Sequence, residues 1–174
     1  MSVERCLLLA TVAVWAAVLS WEDCRTRRLP NLWTVGGAAV ALVFRLGYGG
    51  LPCLLDGFAA AAVCGAFLLP PFLMRGAGGG DVKMLFAAGA IVGWDRVFRL
   101  LWATSLAGVV FGIVLLAVGA LDGARLVYGL RCLFDWRFDR KAAAAALPPK
   151  DDARARIPFS VPIAVGVLVA LLGK

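Results

Sequence analysis

The chain has 174 residues, of which 62% are hydrophobic and 17% charged, with a formal net charge of +7 and a mean hydropathy of +0.88. This is far too apolar for an ordinary soluble domain and places the chain in a bilayer. The length accommodates one compact helical bundle, so residues 1–174 are expected to form a single membrane-embedded domain with no second domain of any size.

Hydrophobic runs predict an all-α, polytopic integral membrane protein with six transmembrane helices in one bundle. The first run, Val3 to Glu22, is read as a retained span. A charged block follows it, and it lacks the small-residue cleavage site of a removable signal peptide. The connector Asp23 to Asn31 leads into span two, Leu32 to Tyr48, and then span three, Cys53 to Met74, with Asp56 expected as its cap. A glycine-rich turn precedes span four, Asp81 to Trp94. Span five is Phe98 to Ala120, and span six is Ile157 to Gly173. Several runs are shorter than the roughly 20 residues that a perpendicular helix needs. Gly89 and Gly93, and Gly108 and Gly112, repeat at the spacing that lets transmembrane helices approach closely.

Lysine and arginine placement sets the orientation. Alternating six spans puts Asp23 to Asn31, Arg75 to Lys83 and Leu121 to Arg156 on one side, with thirteen of the 18 basic residues. That side is expected to be cytoplasmic, with both termini outside. The positive charge is therefore a topology signal, without implication for nucleic acid, and the basic loop can touch anionic membrane lipids. Within the loop, the stretch through Leu133 and Phe134 suits a helix lying in the interface. The alanine run 142–146, ending in Pro148 and Pro149, reads as a solvated connector.

Missing residue types narrow the chemistry. The chain has no histidine, which removes Ser-His-Asp triads, Cys-His pairs and H-E-x-x-H zinc sites. Its five cysteines form no C-x-x-C pair and are odd in number, against a zinc module or a disulfide framework. No cofactor and no metal are expected, and among common hydrolytic designs carboxylate chemistry is left.

Eleven acidic residues then have to be sorted. Asp122, Asp135, Asp139, Asp151 and Asp152 fall in the long loop, Asp95 and Glu4 at outer ends. Asp23, beside Glu22 at the inner end of span one, and Asp81, at the inner start of span four, share one membrane boundary. The run Gly78-Gly79-Gly80-Asp81-Val82-Lys83 puts a carboxylate in a turn whose glycines allow unusual backbone angles and close approach of another chain. An ordinary N-cap would read the same way. With Trp94 at the outer interface, the helix from Asp81 covers only about 20 Å of a hydrocarbon core of roughly 30 Å. Asp81 is then recessed and must face a water-filled notch or a partner. Two carboxylates meeting in a semi-dry site do not both ionise, so one keeps a proton. The ionised one can take a proton from water attacking a peptide carbonyl, while the other donates to the developing oxyanion.

Asp23-Cys24-Arg25-Thr26-Arg27-Arg28-Leu29-Pro30-Asn31 resembles the first aspartate motif of bacterial type IV prepilin peptidases. Gly78-Gly79-Gly80-Asp81-Val82-Lys83 is similar to their second, the motif behind the name GxGD aspartic protease. Arg156-Ile157-Pro158-Phe159 resembles the start of their last span, although Ser160 follows where many relatives carry glycine. The resemblance implies cleavage of a short basic leader from prepilin or pseudopilin precursors at the cytoplasmic face of the bacterial inner membrane, with Asp23 and Asp81 as the dyad. Gly78, Gly79, Gly80, Lys83, Pro30 and Asn31 are candidate motif or substrate contacts. Pro30 and Asn31 also suit a plain helix start, with Asn31 as the cap, and Lys83 could snorkel to the interface. The larger members carry a methylating N-terminal domain with paired C-x-x-C motifs, to which nothing here corresponds. The likeness is to the short, stand-alone peptidases of tight-adherence or Flp pilus systems. Two alternatives are a small transporter with intramembrane carboxylates and a non-enzymatic pilus assembly component.

Overall fold

A computed structural model describes residues 3–26, 29–73, 77–119 and 159–173. The loop 121–156, with its expected interfacial helix and connector, lies outside the described residues. Those described are helical: α1 (Val3–Thr26), α2 (Asn31–Leu73), α3 (Gly79–Val92), α4 (Trp94–Ala117) and α5 (Ser160–Leu172). No strand occurs among them. Helices α1, α2 and α4 are long and apolar enough to cross a membrane. At 14 and 13 residues, α3 and α5 are each about 20 Å long, short of a hydrocarbon core of about 30 Å.

The 43 residues of α2 are two arms joined by a reversal. Gly50 takes φ 65°, ψ −160°, a conformation open to glycine and strained for residues with a Cβ. Pro52 lacks the N–H that would bond back across the break. The first arm starts beside Lys83 of α3, where Asn31 bonds its ammonium, and reaches the far end of α3 at Arg45. The second arm returns. Gly57, Ala61 and Gly65 lie against Ala90, Gly89 and Phe86, and Phe72 reaches Gly79. The expected break between spans two and three is therefore present, as a fold-back inside one continuous helical stretch.

Close approach is what sets the position of α3. A Cβ on Gly89 would sit 2.7 Å from the Ala60 carbonyl oxygen and 2.9 Å from both Ala61 Cα and Cys64 Sγ. Only glycine admits that crossing. Met84, Leu85, Ala87, Ala88, Ala90 and Val92 are also buried, so most of α3 is enclosed by protein, with Lys83 exposed and Val82, Phe86 and Ile91 half-buried. The partners of α3 are α2, α4 and α5. In contrast α1, α2 and α4 expose Leu7, Val14, Phe44, Phe98, Trp102 and Val110, an apolar surface suited to lipid and not to water. Gly108 lies 3.7 Å, from its would-be Cβ, to Phe159, and Gly166 admits Leu100 and Thr104, so α5 runs antiparallel to α4. Gly112 meets nothing within 4 Å, and the expected contact at this glycine is not seen among the described residues.

A polar clasp ties the end opposite Asp81. Arg45 Nε donates to the Ala90 carbonyl at 2.7 Å and Nη2 to Ile91 at 3.3 Å, satisfying carbonyls left open at the C-terminus of α3. Its Nη1 pairs with Asp56 Oδ2 at 2.9 Å. The same oxygen accepts from the backbone N–H of Trp94 at 3.2 Å. Asp56 thus sits inside the second arm of α2, not at its start as the sequence suggested, and caps the first residue of α4. Gly93, with φ 82°, makes the sharp turn between α3 and α4.

Candidate active site

Asp23 occupies the last turn of α1 and is 7% exposed; Asp81 occupies the first turn of α3 and is 5% exposed. Burial of that degree is costly for a carboxyl without hydrogen-bonding partners. Asp23 Oδ2 accepts from the Ser160 hydroxyl at 2.6 Å. Asp81 Oδ2 accepts from the Gly78 backbone N–H at 2.9 Å. Helix α3 therefore starts two residues earlier than the sequence suggested, with Gly78 as the N-cap and Asp81 in the third helical position. A carboxylate there satisfies an open N–H and is favoured by the helix dipole.

The glycines before Asp81 serve close approach. A Cβ on Gly80 would lie 2.8 Å from Leu29 Cβ, one on Gly79 3.3 Å from Phe72, and one on Gly78 3.0 Å from Asp81 Oδ2. None of the three takes a positive φ, so the freedom of backbone angle anticipated from the sequence is not what they supply. Leu29, from the connector after Asp23, is seated against the glycine turn and against the main core.

A second tie joins the same two segments. Lys83 Nζ donates to Asn31 Oδ1 at 2.7 Å. Both side chains are exposed. Asn31 is the first residue of α2, and its side chain meets Lys83 where a capping role was expected. Pro30 occupies the cap position, its carbonyl accepting from the N–H groups of Trp33 and Thr34. The stretches 23–26 and 29–31 and the turn 78–83, distant in sequence, thus form one end of the bundle.

Helix α5 completes that end. It packs on α1, α3 and α4, and its first residue, Ser160, is fully buried. The sequence marks this stretch only as the start of the last span. A serine at a helix start carries no local sign that it will bond a carboxyl 137 positions away. Among the described residues no group of three or more Cys, Asp or Glu is placed to hold a metal ion.

An all-helical membrane protein with two buried carboxyls at one end of its bundle is the class that these elements define. The chain belongs to the type IV leader peptidase family, whose profile matches residues 10–113. That range takes in both aspartates, the connector between α1 and α2, and the whole of α3. Among curated proteins and solved structures nothing matches the chain.

Proposed function

We propose that the protein is a membrane aspartic endopeptidase that removes a short basic leader from type IV or Flp prepilin-like precursors, with Asp23 and Asp81 as its dyad. One carboxylate takes a proton from water as the water oxygen attacks the scissile carbonyl. The other, protonated, donates to the carbonyl oxygen, and collapse of the tetrahedral intermediate returns the first proton to the leaving amine. The observation that carries this reading is the seating of Leu29 on Gly80 and the bond from Lys83 to Asn31, which bring the segments bearing the two buried aspartates to one end of the bundle. Gly80, against Leu29, and Lys83, bonded to Asn31, hold the two segments together, and extended substrate would enter beside them and beside Pro30, Gly78 and Gly79.

In this reading α1, both arms of α2, α3, α4 and α5 are six alternating membrane crossings. The short α3 leaves Asp81 below the inner surface, in a notch open to the cytoplasm. The thirteen basic residues of the site side fix the orientation in a bacterial inner membrane. The chain acts as one peptidase domain, its 121–156 loop cytoplasmic and against lipid headgroups, without a cofactor.

Co-expression with the pilin precursor encoded nearest to its gene, followed by N-terminal sequencing of the product, tests the activity. A precursor left intact by the wild-type enzyme would refute it.

A further inference from the structure

Asp23 lies on α1, and the group that orients it comes from the opposite end of the chain. The Ser160 hydroxyl, fully buried, donates to Asp23 Oδ2 at 2.6 Å, the distance of a strong charge-assisted O–H to carboxylate bond. Among the described residues it is the one hydrogen bond to that side chain. The donor stands on a stiff support. Ser160 is the first residue of α5, and Ile163, Val167, Ala170 and Leu171 of that helix are buried in the main core. Gly166 lets α5 lie against Leu100 and Thr104, fixing its depth and rotation. A hydroxyl held this way pins the plane of the Asp23 carboxyl and leaves Oδ1 in a defined direction.

We propose that Ser160 is a positioning residue for peptide hydrolysis, holding Asp23 in the orientation in which its second oxygen engages the attacking water. The inference rests on the reading of Asp23 as a dyad member and adds the element that aims it. A carboxyl free to rotate still binds its surroundings but spends less time aligned, so the loss falls on the chemical step.

The test uses the full chain in detergent and a pilin precursor with its basic leader, measuring kcat, KM and thermal stability for Ser160→Ala, Ser160→Cys, Ser160→Thr, Asp23→Asn and Ser105→Ala. Ser160→Ala should lose about tenfold to a hundredfold in kcat, with KM within about twofold, and should also lower the melting temperature, because a buried carboxyl loses its partner. Ser160→Thr, which keeps the hydroxyl, should recover most of that loss. Ser160→Cys, of similar volume but a weak donor, should fall between. Among the described residues Ser105 bonds its own helix at Leu101, so Ser105→Ala should match wild type. Full kcat in Ser160→Ala or Ser160→Cys with Asp23→Asn inert would overturn the positioning role alone. So would a Ser160→Thr enzyme as slow as Ser160→Ala when the two are compared at equal folded fraction. An active Asp23→Asn enzyme would instead overturn the dyad on which the proposal stands.

Discussion

Gly89→Ala tests whether the crossing of α2 and α3 sets the geometry of the site. The added methyl would lie 2.7 Å from a backbone oxygen and 2.9 Å from a backbone carbon of α2, and neither can rotate away. Restoring ordinary contact requires the helices to part by about 0.7 Å or more. Overpacking of this kind costs about 1–3 kcal/mol. Alanine returns about 1 kcal/mol in helix propensity, so the net loss of stability is at most about 2 kcal/mol. Activity is the more sensitive readout, because Asp81 lies eight residues away on the same rigid helix and a displacement of about 1 Å at a reacting group can cost about a hundredfold. The expected outcome is precursor processing slowed by tenfold or more with a small change in melting temperature. Gly47→Ala, whose methyl meets nothing within 4 Å, is the control and should process normally. The two variants should be compared in time courses at matched membrane abundance. Wild-type processing by Gly89→Ala would refute the argument that this crossing positions Asp81.

Asp23→Asn, Asp81→Asn and the double variant should fall to a similar residual rate, since a shared unit leaves little for the second change to remove; Glu22→Gln should keep substantial activity in the same precursor assay. Asp56→Ala removes both the Arg45 partner and the cap on α4, so it should lower stability by about 1–3 kcal/mol in thermal unfolding, while Asp56→Asn keeps substantial activity. Reporter fusions after Lys174 should read as external and those within 142–149 as cytoplasmic; a cytoplasmic C-terminus would break the six-crossing arrangement. Strong chelators should leave processing unchanged, and zinc-dependent rescue of lost activity would contradict a carboxylate-only mechanism.

The helical segments and the breaks between them were legible because both are local properties. Runs of apolar residues mark the rods, and Gly49, Gly50 and Pro52 mark the reversal in α2. The two aspartates stood out because a carboxylate beside a long apolar run is expensive. Contacts across the chain were not legible. Asp56 looks like a cap for the helix it belongs to, yet its carboxylate is used by Trp94 of another helix. Asn31 likewise meets Lys83 in place of its own helix start. Ser160 had no local signature at all, since its partner is defined only by how α5 lies on α1.

The sheathing of α3 also has a consequence for biogenesis. With 14 residues, an aspartate and a lysine in its first turn and a little beyond, and a middle of alanines and glycine, it offers a bilayer far less than α1 or α4 does. Its surroundings are mainly the returning arm of α2. In the six-crossing reading, entry of α3 into the bilayer is therefore cooperative, with the second arm of α2 already in place to receive it or with α4 carrying it in as a hairpin.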